Sequence, residues 1–190
     1  MPSTFRIPAA PMSGPFARTV RAAARRIYGQ VPDNLPVLWH HKPVLRATLA
    51  FESRVAKWSA LDAHLTTYAV MASAATIGCS WCLDFGYYLA HADGLDEAKV
   101  REVPRWRESD VFTDLERDVM AYAEAMSVTP PTVTDDLVAS LLARLGERAV
   151  VELTMMVAVE NERSRFNYAA GLASQGFSDV CELPLAVGGE

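Results

Sequence analysis

Cys79, Ser80, Trp81 and Cys82 follow Gly78 at the point where one helical pattern stops and another begins. A pair of thiols three positions apart at a helix start restricts both the fold and the chemistry. The spacing lets the pair close a small disulfide ring and reopen it. Unpaired backbone N–H groups and the positive end of the helix dipole favour a thiolate there, and such settings lower a cysteine pKa from about 8.5 to roughly 3.5–7.5. The same spacing also suits half of a structural metal site, or two small buried residues. A closed zinc site needs four ligands, and no second C-x-x-C or H-x-x-x-H follows, so no metal centre is expected.

Around this pair the chain reads as all-α. Helices are predicted over residues 16–28, from about residue 43 to 55, over 62–77, and from the cysteines to about residue 91. Gly78 separates the last two, and Asp93-Gly94 supplies a C-terminal glycine signal. A short helical pattern covers 95–103, with Pro104 as its stop. Thr113 and Glu116 form a capping box for a helix to about residue 126. Thr134 caps another that Gly146 ends, and the last long helix covers 147–173. No stretch alternates with β-branched enrichment, so no strand is expected. The run of residues 150–168 echoes 65–83 in apolar rhythm, placing Ser164 and Asn167 where Cys79 and Cys82 stand. It reads either as an internal two-copy helical repeat or as two amphipathic helices of one period.

The expected organisation is an irregular Pro/Arg-rich segment with one helix over 1–34, a helical domain over 35–180, and a tail over 181–190. Arg6, Arg18, Arg21, Arg25 and Arg26 all precede the first acidic residue, Asp33. That basic start suits a targeting segment, an arm on a partner subunit or a solvated helix face, and lacks a secretory h-region. The net charge of −5 argues against nucleic acid as a partner. The apolar stretch 68–90 is interrupted by Gly78, Ser80 and Asp84 and is rich in small residues, which predicts a buried helix rather than a membrane span. Three cysteines are an odd count, unlike a secreted disulfide scaffold, so a cytoplasmic location is expected. Cys181, far along the chain, reads as a plain buried thiol or as a group folded back to the pair.

The run from Ile77 to Phe85, ahead of Gly94-Leu95-Asp96, resembles the carboxymuconolactone decarboxylase family and, within it, the AhpD-like branch. The block from Glu160 to Asn167, followed by Gly171, looks like the C-terminal helix of that branch. The resemblance covers roughly residues 35–180. It implies an AhpD-like helical bundle that assembles as homo-dimers, trimers or hexamers. It also implies a cysteine pair that reduces hydroperoxides and is itself re-reduced by a dithiol protein or thiol. In that arrangement Cys82 faces the oxidant and Cys79 resolves it, and no cofactor is needed. The family's redox members carry a Glu twelve positions before the first cysteine and a His four after the second. Here those places hold Thr67 and Gly86, neither of which acts as a base near neutral pH.

Other residues bear on the site. Gly86 shares a helix face with both thiols, leaving room for either a neighbouring helix or substrate. Glu160 lies in an apolar stretch, where a carboxylate is costly unless paired. It reads as an ion pair with Arg163 or Arg165, as a solvated turn, or as a substitute proton acceptor with a raised pKa. Trp81 dries and shapes the site, or packs. Tyr68 reads as a donor or as core. His40 and His41 read as a surface pair; His91 and Asp84 point away from the thiols, Asp84 as a first-turn acid.

The leading functional expectation is a thiol–disulfide oxidoreductase acting on a hydroperoxide or similar small-molecule oxidant. The alternatives are a non-redox decarboxylase or isomerase of a small organic acid or lactone, with Arg165 gripping a carboxylate, and a helical assembly protein with a vestigial site.

Overall fold

The computed structural model describes residues 2–178, so Cys181 and the 181–190 tail lie outside the described residues. Within them the chain is α-helical without strands. The order is α1 (Gly14–Tyr28), α2 (Asn34–Leu38), α3 (Lys42–Val55), α4 (Ala63–Ile77), α5 (Ser80–Ala92), α6 (Glu97–Glu102), a 3-10 turn (Val103–Glu108), α7 (Asp114–Ser127) and α8 (Asp135–Ala170).

Helix α4 is the axis of the bundle and packs against α5, α7 and α8. Its buried residues Leu65, Tyr68, Ala69, Met71, Ala72, Ser73 and Ala74 cover most of its circumference, and the small ones among them let neighbouring backbones approach. Leu153 and Val157 of α8 and Val119 and Met120 of α7 fill the same core. Truncating such a side chain typically costs about 2–5 kcal/mol. One polar node is sealed inside: the Asn161 amide donates to the hydroxyls of Ser73 and Ser127, at 3.1 and 2.9 Å, tying α4, α7 and α8 at a single point.

The caps explain most boundaries. Asp62 accepts from the His64 N–H to start α4, Thr113 and Glu116 form the expected capping box on α7, and Thr134 accepts from Leu137 to start α8. Three elements differ from the sequence expectation. A short helix, α2, forms where none was expected, with Pro36 in its first turn, where the missing N–H costs nothing. Pro104 likewise opens the 3-10 turn that continues α6. The last helix ends at Ala170 rather than 173, because Gly171 takes a left-handed conformation (φ 76°) and the N-terminal segment closes on it. Thr4 and Phe5 donate their N–H groups to the Gly171 carbonyl, and a Cβ at Gly171 would lie 2.5 Å from Thr4 Oγ1. At Gly146, where the sequence predicts a break, α8 is kinked by a non-helical residue (φ 77°, ψ 164°).

Of the basic start, Arg18, Arg25 and Arg26 are exposed on α1. Arg6 instead donates to the Tyr168 carbonyl at 2.6 Å and lies over the Tyr168 ring. No described helix is long and apolar enough to cross a membrane.

Candidate active site

Gly78 turns the chain at the end of α4 with φ 81°, a left-handed conformation that other residues rarely adopt. The turn makes Cys79 the N-cap of α5. Its sulfur accepts from the Cys82 N–H at 3.2 Å, as a Ser or Thr oxygen does at other helix starts. Cys79 and Cys82 are joined in a disulfide, with Cα atoms 5.3 Å apart. Both are buried, at 2% and 7% exposure. Their neighbours in the turn, Gly78 and Ser80, are exposed and half-exposed, so the pair sits just beneath the surface at a helix end.

α8 crosses α5 and brings three buried polar residues to one side of itself. Asn167, 2% exposed, points its amide nitrogen at Cys82 Sγ from 3.4 Å. Ser164, one turn earlier and fully buried, donates to Glu160 Oε1 at 2.6 Å. Glu160 is 3% exposed and pairs with Arg163, whose Nη1 lies 3.5 Å from Oε2. Arg163 in turn holds Glu52 of α3 by two prongs, with Nε 2.8 Å from Oε1. Burial pushes the Glu160 carboxyl up to about 7, against the opposing pull of Arg163 and Ser164.

Among the described residues, the structure brings none of the other expected ones into a bond with the two sulfurs. Thr67 is half-buried on α4, one turn before Met71. Gly86 faces that same Met71: a Cβ there would lie 3.4 Å from its Cγ. The space the missing side chain leaves is thus taken by a neighbouring helix. Trp81 stacks on Phe85 and donates its indole N–H to Gln175 Oε1 at 2.9 Å. Tyr68 packs edge-on against Phe112, and burial pushes its hydroxyl up to about 12. His40 bonds to the Pro8 carbonyl and His41 caps α3, both exposed. His91 pairs with Glu97 at the far end of α5. Arg165 is exposed and bonded to the Ser127 carbonyl. Among the described residues no cluster of His, Cys, Asp and Glu is suited to a metal ion.

Asp84 corrects the sequence reading. It lies beyond the first turn of α5, fully buried, and accepts four hydrogen bonds: from the backbone N–H groups of Gln175, Phe177 and Ser178 and from the Ser178 hydroxyl. It clamps residues 175–178 against the cysteine helix. Its lone charge within the apolar run 81–90 was the available signal. The contact of Asn167 with Cys82 had a fainter one, the register of the 150–168 echo.

A model of the carboxymuconolactone decarboxylase family matches residues 42–125, from α3 through α7 and across the cysteine pair. Over those residues, less than half of the chain, the sequence is similar to that family. A relative from Escherichia coli (strain K12), the uncharacterized protein YnjA, is 39% identical over 107 residues, spanning 56% of this chain and 57% of that protein. The chain thus matches little more than half the length of that relative.

Solved structures extend the likeness in fold to most of the helical bundle. A Cys→Ala variant of the debrominase Bmp8 in complex with 2,3,4-tribromopyrrole has a TM-score of 0.80 at 17% identity, covering 94% of this chain and 96% of that one. An uncharacterized peroxidase-related protein from Silicibacter sp. TM1040 has a TM-score of 0.73 at 16% identity, over 90% and 93%. ATU0492 from Agrobacterium tumefaciens, a protein of unknown function whose description names AhpD and antioxidant defence, has a TM-score of 0.65 at 22% identity, over 77% and 94%. The fold is AhpD-like.

Proposed function

We propose that this protein is a dithiol–disulfide oxidoreductase that reduces a small-molecule oxidant through Cys79 and Cys82. The observation that carries the reading is the bonded pair at the start of α5, with the Asn167 amide on the Cys82 sulfur. Donors to sulfur at a helix N-terminus stabilise a thiolate.

With a hydroperoxide, the Cys82 thiolate attacks the distal oxygen and the O–O bond breaks. The alcohol leaves, and Cys82 carries the oxygen as a sulfenic acid. Cys79 displaces that oxygen as water and closes the disulfide. A dithiol reductant, protein or small thiol, then returns two electrons and two protons. The cytoplasm supplies such a reductant, and a homo-oligomer is the assembly in which we place the site.

A second oxidant class deserves the same assay because a debrominase shares the fold. Two thiols and an aryl bromide balance as disulfide, arene and hydrogen bromide. The non-redox alternative leans on Arg165, which sits 200° around α8 from Asn167 on helical geometry, on the opposite face from the cysteines.

The test is consumption of tert-butyl hydroperoxide, or bromide release from 2,3,4-tribromopyrrole, with dithiothreitol as donor. Cys79→Ser and Cys82→Ser each reduce turnover to background. Turnover that survives both substitutions overturns the reading.

A further inference from the structure

A dithiol cycle needs a group that takes a proton from the attacking thiol and returns one to the leaving alkoxide. Thr67 and Gly86 do neither. One face of α8, the one that carries Asn167 to Cys82, holds groups that do. Glu160, Ser164 and Asn167 fall at i, i+4 and i+7 of α8, on one face of one helix, and all three are buried. Asn167 touches the Cys82 sulfur. Ser164 lies about 4.5 Å nearer the helix start and gives its proton to Glu160. A hydroxyl that donates in one direction accepts in the other.

We propose that Glu160, acting through the Ser164 hydroxyl, is the proton acceptor of the cysteine pair, and that Asn167 is the positioning residue that holds the Cys82 sulfur to this row. The proposal deepens the dithiol reading and rests on it. In the reduced protein the Cys82 thiol passes its proton, through a water admitted between them, to Ser164 as Ser164 passes its own to Glu160. The thiolate takes the distal peroxide oxygen, and the alkoxide recovers the proton from Glu160 by the same row. When Cys79 attacks the sulfenic acid, its proton leaves with the hydroxyl as water.

The charged groups that bear on Glu160 are Arg163 on its own helix and Glu52 from α3; no titratable group of α4, α5 or α7 is among those that shift it. Burial leaves its carboxyl near neutrality, where an acceptor also serves as a donor. The pair with Arg163 occupies Oε2 and the bond from Ser164 occupies Oε1, so the two roles fall on different oxygens.

The experiment is a single turnover: fully reduced protein is mixed with tert-butyl hydroperoxide and free thiols are counted with time across pH 5.5–9. The intact protein should lose rate as pH falls through about 7, where Glu160 takes up its proton. Glu160→Gln and Ser164→Ala should each slow oxidation about 100-fold or more, and the limb near pH 7 should vanish in Glu160→Gln and persist in Glu160→Asp. Alkylation of Cys82 by iodoacetamide should not slow in Glu160→Gln, because losing a carboxylate does not disfavour a thiolate. It should slow in Asn167→Ala. Should Glu160→Gln fail to fold, Ser164→Ala decides, since it removes a single hydroxyl. Oxidation at the intact rate with the pH limb unchanged in these variants overturns the relay and leaves the dithiol reading standing. Oxidation no faster than that of free dithiothreitol in the intact protein, or undiminished in Cys82→Ser, overturns both.

Discussion

Residues 65–83 and 150–168 carry the same apolar rhythm, and the structure treats them differently. In the first stretch Gly78 interrupts the helix, so the next polar pair, Cys79 and Cys82, falls on a fresh helix start, where the Cys79 sulfur caps the Cys82 N–H. In the second no glycine intervenes, and Ser164 and Asn167 lie buried inside a continuous helix, with Asn167 against Cys82. One left-handed residue thus separates the terminus we propose as reactive from the wall we propose as its support. The first has the helix dipole and the exposed turn; the second has a buried carboxylate one turn from its serine.

The hardest test of this contrast moves the thiols. In a Cys79→Ser, Cys82→Ser background, Ser164→Cys with Asn167→Cys rebuilds the spacing mid-helix, where every N–H is already bonded. Peroxide turnover is expected to stay at least about 100-fold below that of the intact protein, roughly 2.7 kcal/mol of barrier. Recovery to within tenfold would remove the helix end from the explanation.

A milder break is Gly78→Ala. The left-handed turn then costs about 1–2 kcal/mol of stability, read as a lower urea midpoint, and Cys82 alkylation should need higher pH as the helix start frays. Wild-type stability in both halves with unchanged alkylation would show that the turn does not set the site.

On the supporting wall the raised carboxyl of Glu160 makes stability depend on pH. Between about pH 4.5 and 7 the folded protein holds a proton that the unfolded chain releases, so stability falls as pH rises through that window and levels off above it. Glu160→Gln should remove this fall, and urea titrations at pH 5 and 8 measure it. A Glu160→Gln protein with the parent's slope would place the proton elsewhere.

The smallest effect belongs to Gly86→Ala. The added methyl meets Met71 at ordinary contact distance, and the helix gains up to about 1 kcal/mol in propensity. The melting temperature should hold or rise slightly. A clear loss of stability would mean that Met71 does not accommodate the methyl, and a loss of turnover at unchanged stability that substrate comes against Gly86.

Much of the fold was legible because it is written in local rules. Asp62, Thr113 and Thr134 announce their helices by capping, and Gly78 and Gly146 announce their breaks by conformation. The cysteine pair was legible for the same reason, since spacing and helix start are both local. What escaped is made by contacts across the bundle. Nothing local says that Asn167 meets Cys82, 85 residues away, or that Asp84 takes its partners more than 90 residues downstream. The early stop of α8 escaped likewise, because Gly171 is held by Thr4 and Phe5 from the other end of the chain. Glu160 was legible as a costly carboxylate in an apolar run, but its serine and its burial were not.

Asp84 stands two residues beyond Cys82 and fastens residues 175–178 to α5, while Trp81, one residue before Cys82, gives its indole to Gln175 and lies between Phe85 and Phe177. Any rotation of the first coil of α5 therefore moves an indole within a cage of rings. With Trp39, Trp58 and Trp106 replaced by Phe, the emission of Trp81, the one remaining tryptophan, is expected to change when the disulfide is reduced.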